Sequence, residues 1–267
     1  MKKLLSFALA SVMVLVCVFS FTSCGKKGKT LDEVKKAGEL VVATSPDFPP
    51  FENLEGGEVV GIEVEILKKV CEKLGVKLTL KEMDFDSVLP GVTAGKFDCG
   101  MSGITVTESR QKNMLFTDPY FVAAQAIVVK AGSLIQSKVD LDGKKVSVQT
   151  GTTAEEYCSE NGYTVSAFAA NSDAETALLN GNVDAWVIDN LVGIAMVAAY
   201  NEGKAESEKL VILSEVMTSE PYAFAFAFGS EDLVAEINKI QKAMIEDGTI
   251  AAIFAQFGED YAAPASK

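Results

Sequence analysis

The strongest restriction on how this chain can fold is a regular exchange between short apolar runs and longer segments of helical period. Leu40-Val41-Val42-Ala43-Thr44 is a short apolar strand, and the loop after it, Ser45-Pro46-Asp47-Phe48-Pro49-Pro50-Phe51, is kept irregular by its prolines. Ile62, Ile66, Leu67, Val70, Cys71 and Leu74 then recur at helical spacing, Gly75 stops that helix, and Val76 to Leu80 reads as a second strand. Strands that alternate with helices in this way belong to the α/β class.

Two later segments look alike. Leu89-Pro90-Gly91-Val92-Thr93-Ala94-Gly95-Lys96-Phe97-Asp98-Cys99-Gly100 and Ala177-Leu178-Leu179-Asn180-Gly181-Asn182-Val183-Asp184-Ala185-Trp186-Val187-Ile188 each run from a helix end through a glycine stop and an apolar-Asp step into a buried strand. One copy in each half points to two similar α/β lobes. Tyr120 to Val129 and Tyr222 to Phe228 are extended and apolar, and in the second Phe224, Phe226 and Phe228 alternate with alanines at strand period. Between them lie strand Lys145–Gln149, a helix from Thr152, strand Val165–Phe168, helix Ala174–Asn180 and strand Asp184–Ile188. Residues 126–217 therefore read as an inserted second lobe. Lobe one is residues 38–122 plus 224–267, and its last helices carry Leu233, Ile237, Ile240 and Met244 on one face. The two crossings, at about 120–126 and 218–224, form a hinge.

The amino terminus reads as a targeting segment. Lys2 and Lys3 precede an apolar run from Leu4 to about Phe21, and small residues follow, the pattern of a secretory signal over residues 1–23. Thr22-Ser23-Cys24-Gly25 resembles a bacterial lipobox, which implies cleavage before Cys24 and acylation of its thiol. The alternative is an uncut transmembrane anchor, because the run is about long enough to span a bilayer. Both readings place the body outside the cytoplasm, held to a membrane by the polar tether of residues 24–37.

Composition removes several function classes. A formal charge of −13 argues against nucleic acid, whose phosphates need a basic face. The absence of histidine removes Ser-His-Asp and Cys-His catalysis and histidine-ligated metal. Cys71, Cys99 and Cys158 match no metal-binding spacing, and Cys71 and Cys99 read as core residues. Neither a metal nor another cofactor is expected.

Four loops follow strand C-terminal ends, where open α/β sheets place ligands: Ser45–Phe51, Ser102–Arg110, Thr150–Glu155 and Asp189-Asn190. Arg110 is the sole arginine of the chain. Its guanidinium matches a carboxylate in a bidentate way that lysine cannot. Alternatively it caps a helix or pairs with a nearby Glu on the surface. Thr152 with Glu155 gives a capping-box pattern. That fits a merely capped helix, and it also fits an anion held on free amides at the helix start. Asp189 ends an apolar strand, either as a helix N-cap or as a carboxylate for an ammonium.

Together these segments resemble the solute-binding proteins of polar amino-acid ABC importers, the glutamine-, histidine- and lysine/arginine/ornithine-binding group. The resemblance covers nearly all of residues 38–258. It is carried by Ala43–Glu52, Met83-Asp84-Phe85-Asp86, Ser102–Arg110, Phe116-Thr117-Asp118-Pro119-Tyr120, Gln149-Thr150-Gly151-Thr152-Thr153 and Asp247-Gly248-Thr249, in that order. It implies a type II periplasmic-binding-protein fold, each lobe a mixed sheet flanked by helices. It also implies a monomeric, membrane-anchored lipoprotein that delivers a polar amino acid to a permease. Arg110 would take the ligand carboxylate, helped by the amides of Thr105 and Thr153, while Asp189, the Gly103 carbonyl and the Thr105 hydroxyl take the ammonium. Phe48 would stack on the side chain, and Ser45 and Gln149 would line its pocket, with Ser102 and Thr152 in the same loops. Several familiar members carry an acid where this chain has Ser45, which leaves Glu52, Asp86 or Glu220 as other sources of charge. The alternative function is an enzyme on the same scaffold, similar to cyclohexadienyl dehydratase, with Glu52 or Glu220 as general acid.

Overall fold

A computed structural model describes residues 28–264. The signal segment, Cys24 and residues 24–27 of the tether lie outside the described residues.

The chain builds two five-stranded mixed sheets of matching order. In the first, Glu39–Thr44 lies between the parallel strands Lys77–Glu82 and Cys99–Gly100. Ala225–Phe226 then runs antiparallel to Cys99–Gly100, and Leu115–Phe116 closes the edge. In the second, Lys145–Gln149 lies between the parallel strands Thr164–Phe168 and Ala185–Asp189. Gln125–Lys130 adds antiparallel to Ala185–Asp189, and Leu210–Val216 follows. A separate antiparallel pair, Phe121–Ala123 with Glu220–Tyr222, joins the two halves.

The similar segments of the sequence do the same mechanical job in each sheet. Asp98 donates its N–H to Val41 O at 2.8 Å, and its carboxylate accepts Val41 N–H at 3.0 Å. Asp184 donates to Lys145 O at 2.7 Å and accepts Lys145 N–H at 2.8 Å. Each apolar-Asp step thus fixes the register between the third and second strands in the order of its sheet.

The helices follow the apolar period. Ile62–Leu74 buries Ile62, Ile66, Leu67, Val70, Cys71 and Leu74, and Gly75 ends it at φ 75°, a left-handed geometry that glycine adopts without strain. Each large side chain so buried contributes about 1.5–3 kcal/mol, and truncating Leu67 to alanine costs about 2–5 kcal/mol. Glu231–Glu246 turns Leu233, Ile237 and Met244 inward. Cys71, Cys99 and Cys158 are buried free thiols. Among the described residues, no helix is long and apolar enough to cross a membrane.

Two expected elements differ. The run Tyr222–Phe228 is divided: Glu220–Tyr222 belongs to the connecting pair and Ala225–Phe226 to the first sheet. Ala223, Ala225 and Ala227 are buried together with Phe224 and Phe226, while Phe228 is 45% exposed. The alternation does not separate an inside from an outside, because this is an inner strand with both faces covered. The helix expected from Ala174 starts at Asn171. Its N-cap, Ala170, offers no side-chain acceptor, and the missing acceptor comes from the other half of the molecule.

Candidate ligand cleft

All four loops reach one cleft between the halves, of about 320 Å³ including its mouth. Ser45, Phe48, Ser102, Gly103, Thr105, Arg110, Gln149, Thr152, Thr153 and Asp189 all line it, and Asp47 and Phe85 complete the wall.

On the lobe-one side the loops are tightly laced. Ser45 N–H donates to Ser102 Oγ at 3.1 Å, and Gly103 N–H to a Glu63 carboxylate oxygen at 2.9 Å. Gly103 sits at φ 53°, and a Cβ there would strike the Phe48 ring, so both conformation and space require glycine. Val106 N–H bonds Pro221 O and Ala223 N–H bonds Ile104 O, stitching this loop to the connecting strands. Arg110 lies on the short helix Glu108–Gln111, capped by Thr107 Oγ1. Its Nη1 donates to Thr105 O at 2.9 Å, and its Nη2 crosses to Gly151 O at 3.2 Å. The Phe85 ring lies 5.9 Å from the guanidinium carbon. Glu220, Glu156 and Asp189 act on its charge from nearby, yet none is among the ion pairs of the described residues. Burial pulls the guanidinium below its usual pKa against their attraction. Among the described residues the guanidinium makes no surface ion pair and is braced by two carbonyls.

On the lobe-two side, Thr152 caps helix Thr153–Glu160 by accepting Glu155 N–H at 3.2 Å. The return half of the expected capping box shifts by one residue, because Glu155 accepts Gly151 N–H at 2.6 Å. Thr153 N–H stays a first-turn donor with no intrahelical acceptor. Asp189 occupies the N-cap position of Asn190–Asn201 but makes no cap bond. Its Oδ1 is buried without a partner. Gln125 and Tyr222 lie beside it without completing a well-formed bond to that oxygen. Burial first, then Glu220, raises its pKa to about 7.

Sequence reading passed over Asp47 as a site residue. Its Oδ2 accepts Asn171 N–H at 2.6 Å across the cleft, and its Oδ1 faces Ser45 Oγ at 3.3 Å and Gln149 Nε2 at 3.4 Å. This acid of lobe one therefore caps a lobe-two helix. Phe85 was passed over as well. Both residues stand inside segments already singled out, but nothing local pairs Asp47 with a helix 124 residues away. Of the three acids suggested for the pocket, Glu52 is buried behind Ser102, Glu220 accepts Thr153 Oγ1 at 3.0 Å, and Asp86 is exposed beside Gly151. Besides Asp189, the acid on the wall is Asp47.

Known proteins share this fold. The family of bacterial extracellular solute-binding proteins, family 3, matches residues 40–260. The arginine-binding extracellular protein ArtP of Bacillus subtilis is 32% identical over 90% of this chain and 93% of its own length. An ancestral arginine-binding protein bound to glutamine superposes with a TM-score of 0.77 at 41% identity, covering 82% of this chain and 97% of that one. The ancestral amino acid-binding protein AncCDT-1, a precursor of cyclohexadienyl dehydratase, gives 0.78 at 33% identity, over 86% and 99%.

Proposed function

Because the chain belongs to the bacterial extracellular solute-binding proteins of family 3, we propose that it binds a polar L-amino acid in the cleft and delivers it to an ABC permease. One observation carries this reading. A guanidinium without a carboxylate partner and a buried carboxylate oxygen without a donor line the same cleft. A zwitterion supplies both missing partners at once, and each of its charges needs a charge-assisted bond to leave water.

Arg110 clamps the ligand carboxylate, with the amides of Thr105 and Thr153 beside it. Asp189 takes the ammonium together with the Gly103 carbonyl and the Thr105 hydroxyl. Phe48 covers the side chain, and Ser45, Asp47 and Gln149 bound its pocket. Lobe one, residues 38–122 plus 224–267, turns against lobe two, residues 126–217, about the segments 120–126 and 218–224. A ligand that touches both lobes shifts the open–closed equilibrium. The protein works as a monomer, held outside the cytoplasm by lipid on Cys24. AncCDT-1, named as an amino acid-binding protein and a precursor of cyclohexadienyl dehydratase, leaves an enzyme on the same scaffold as the weaker alternative.

A thermal-shift panel of the twenty amino acids plus ornithine, citrulline and cystine tests this, with calorimetry on each hit. One or a few polar amino acids should raise the melting temperature. No shift with any of them overturns the proposal.

A further inference from the structure

Beneath the cleft lie two carboxyl groups that the recognition scheme leaves unused. Glu52, on strand Glu52–Glu55, and Glu63, in the first turn of helix Ile62–Leu74, are both fully buried. Glu63 is served on both oxygens: Oε2 accepts Gly103 N–H at 2.9 Å and Oε1 accepts the Tyr120 hydroxyl. Both of its oxygens thus have donors, beside the positive end of its own helix. Glu52 is served on one side only. Its Oε1 accepts Ser102 Oγ–H at 2.9 Å, and its buried Oε2 meets no donor. The group beside it is the Glu63 carboxyl.

Among the described residues, no cation acts on this pair. Asp47 faces Glu52 from the cleft loop, and Tyr120 and Cys99 face the pair from the connection and the sheet. Neither acid is among the ion pairs of the described residues. Two bare carboxylates in contact, out of water, do not both stay ionised. Burial first and the Glu63 charge second hold the Glu52 carboxyl well above the ordinary carboxylate range. A proton on Oε2 turns an orphaned acceptor into a donor toward Glu63.

We propose that Glu52 and Glu63 share one proton, and that this singly charged pair is a positioning element that holds Ser102 and Gly103 in their ligand-receiving geometry. Ser102 Oγ in turn accepts Ser45 N–H, so the pair sets two of the four cleft loops. Its effect on affinity rests on the proposed amino-acid function; the shared proton does not.

The geometry demands an asymmetry between two chemically identical substitutions. In Glu52→Gln the amide N–H replaces the carboxyl O–H toward Glu63, and the amide oxygen still accepts from Ser102. In Glu63→Gln one acceptor becomes a donor, and either Gly103 N–H or Tyr120 loses its partner. On the full chain, ligand-free melting curves from pH 5 to 9 come first. A native carboxyl that keeps its proton above the unfolded value of about 4.3 makes stability fall as pH rises. Glu52→Gln should therefore gain on wild type as pH rises, and parallel curves overturn the shared proton. Second, the Gly103 amide proton resonance should lie far downfield in wild type and Glu52→Gln and move upfield in Glu63→Gln. An unchanged resonance in all three overturns the positioning role. If Glu63→Gln fails to fold, Glu63→Asp, which keeps the charge but withdraws it from Gly103, gives the same reading. Third, for the amino acid found by the panel, Glu52→Gln should bind within about threefold of wild type and Glu63→Gln at least tenfold more weakly. Equal losses overturn the proposal. A panel with no hit sinks the amino-acid function alone, and the first two measurements still decide the pair.

Discussion

The two walls of the cleft present opposite charges under different circumstances. On the lobe-one wall Arg110 is braced by Thr105 O, and the loop around it is stitched to the connecting strands and propped on Glu63. On the lobe-two wall Asp189 has a buried oxygen with no donor and a pKa near 7. In the proposed scheme lobe one is a finished receptacle, and lobe two carries a group whose buried oxygen gains a partner when a cation arrives. In that scheme the division makes ligand capture and lobe closure separable: a carboxylate would dock on lobe one alone, whereas relief of Asp189 would require the ammonium to touch lobe two.

The largest expected effect breaks the finished side. Arg110→Ala leaves a ligand carboxylate buried without its partner, at a cost of about 2–5 kcal/mol, so calorimetry should find affinity down by about 30-fold or more. Arg110→Lys should recover only part, since the bidentate fork is lost. Binding within about threefold of wild type in the alanine variant removes Arg110 from its proposed role.

Next in size is the unfinished side. Asp189→Asn keeps the shape and loses the charge, so affinity should fall at least tenfold and ligand-induced compaction in small-angle scattering should shrink. Its pH signature is distinctive. An ammonium pairs with the ionised carboxylate, and a pKa of about 7 means the ligand-free protein is increasingly protonated below that value. Wild-type affinity should therefore fall as pH drops through 7, by roughly eightfold between about pH 7.5 and 6 for one coupled proton. Asp189→Asn should flatten that profile. Ligand-free stability runs the opposite way with pH: the raised native value favours the protonated form, so the contribution of Asp189 to stability is greatest at acidic pH and declines as pH rises toward 7. The Asn variant should lose that decline too.

How much of this was open to sequence reading depends on how local each interaction is. The strands, the helix Ile62–Leu74 and the four cleft loops follow from periods and stop signals within a few residues of each other. The apolar-Asp steps at Asp98 and Asp184 were visible because the same local device occurs twice. The pairs Asp47–Asn171 and Glu52–Glu63 were not visible, because each joins elements that only the tertiary fold brings together. Asp189 shows a subtler limit. An acid between an apolar strand and a helix reads as a cap, and only the full set of neighbours reveals that it caps nothing.

A smaller effect tests whether the walls also meet without a ligand. Asp47 ties lobe one to the first turn of helix Asn171–Leu179. Losing one hydrogen bond to a charged group costs about 1.5–3 kcal/mol when it is made only in the closed form. Asp47→Ala should thus expand the ligand-free protein in scattering and weaken every bound amino acid by a similar factor, about tenfold. A loss confined to ligands with cationic side chains would instead make Asp47 a side-chain partner.

The smallest effect sets the twin devices of the two lobes against each other. Asp98 and Asp184 each hold the backbone of the second strand in the order of their sheet, but their settings differ. Asp98 is buried and also pairs with Lys29 at 3.0 Å, whereas Asp184 is exposed. Asn keeps an acceptor oxygen for the strand N–H in both places, but at position 98 it also loses the charge that pairs with Lys29 beside a buried group, which costs more than the loss of a solvated charge. Asp98→Asn should lower stability by about 1–2 kcal/mol and Asp184→Asn by under about 1 kcal/mol. In a protein of this size that separates the melting temperatures by about 2–4 °C per kcal/mol. Both substitutions lie at strand starts, away from the loops that line the cleft, so affinity should stay within about twofold. If Asp184→Asn proves the more damaging, lobe two depends on its register device more than burial implies, and the two lobes are alike in topology but not in how their sheets are held.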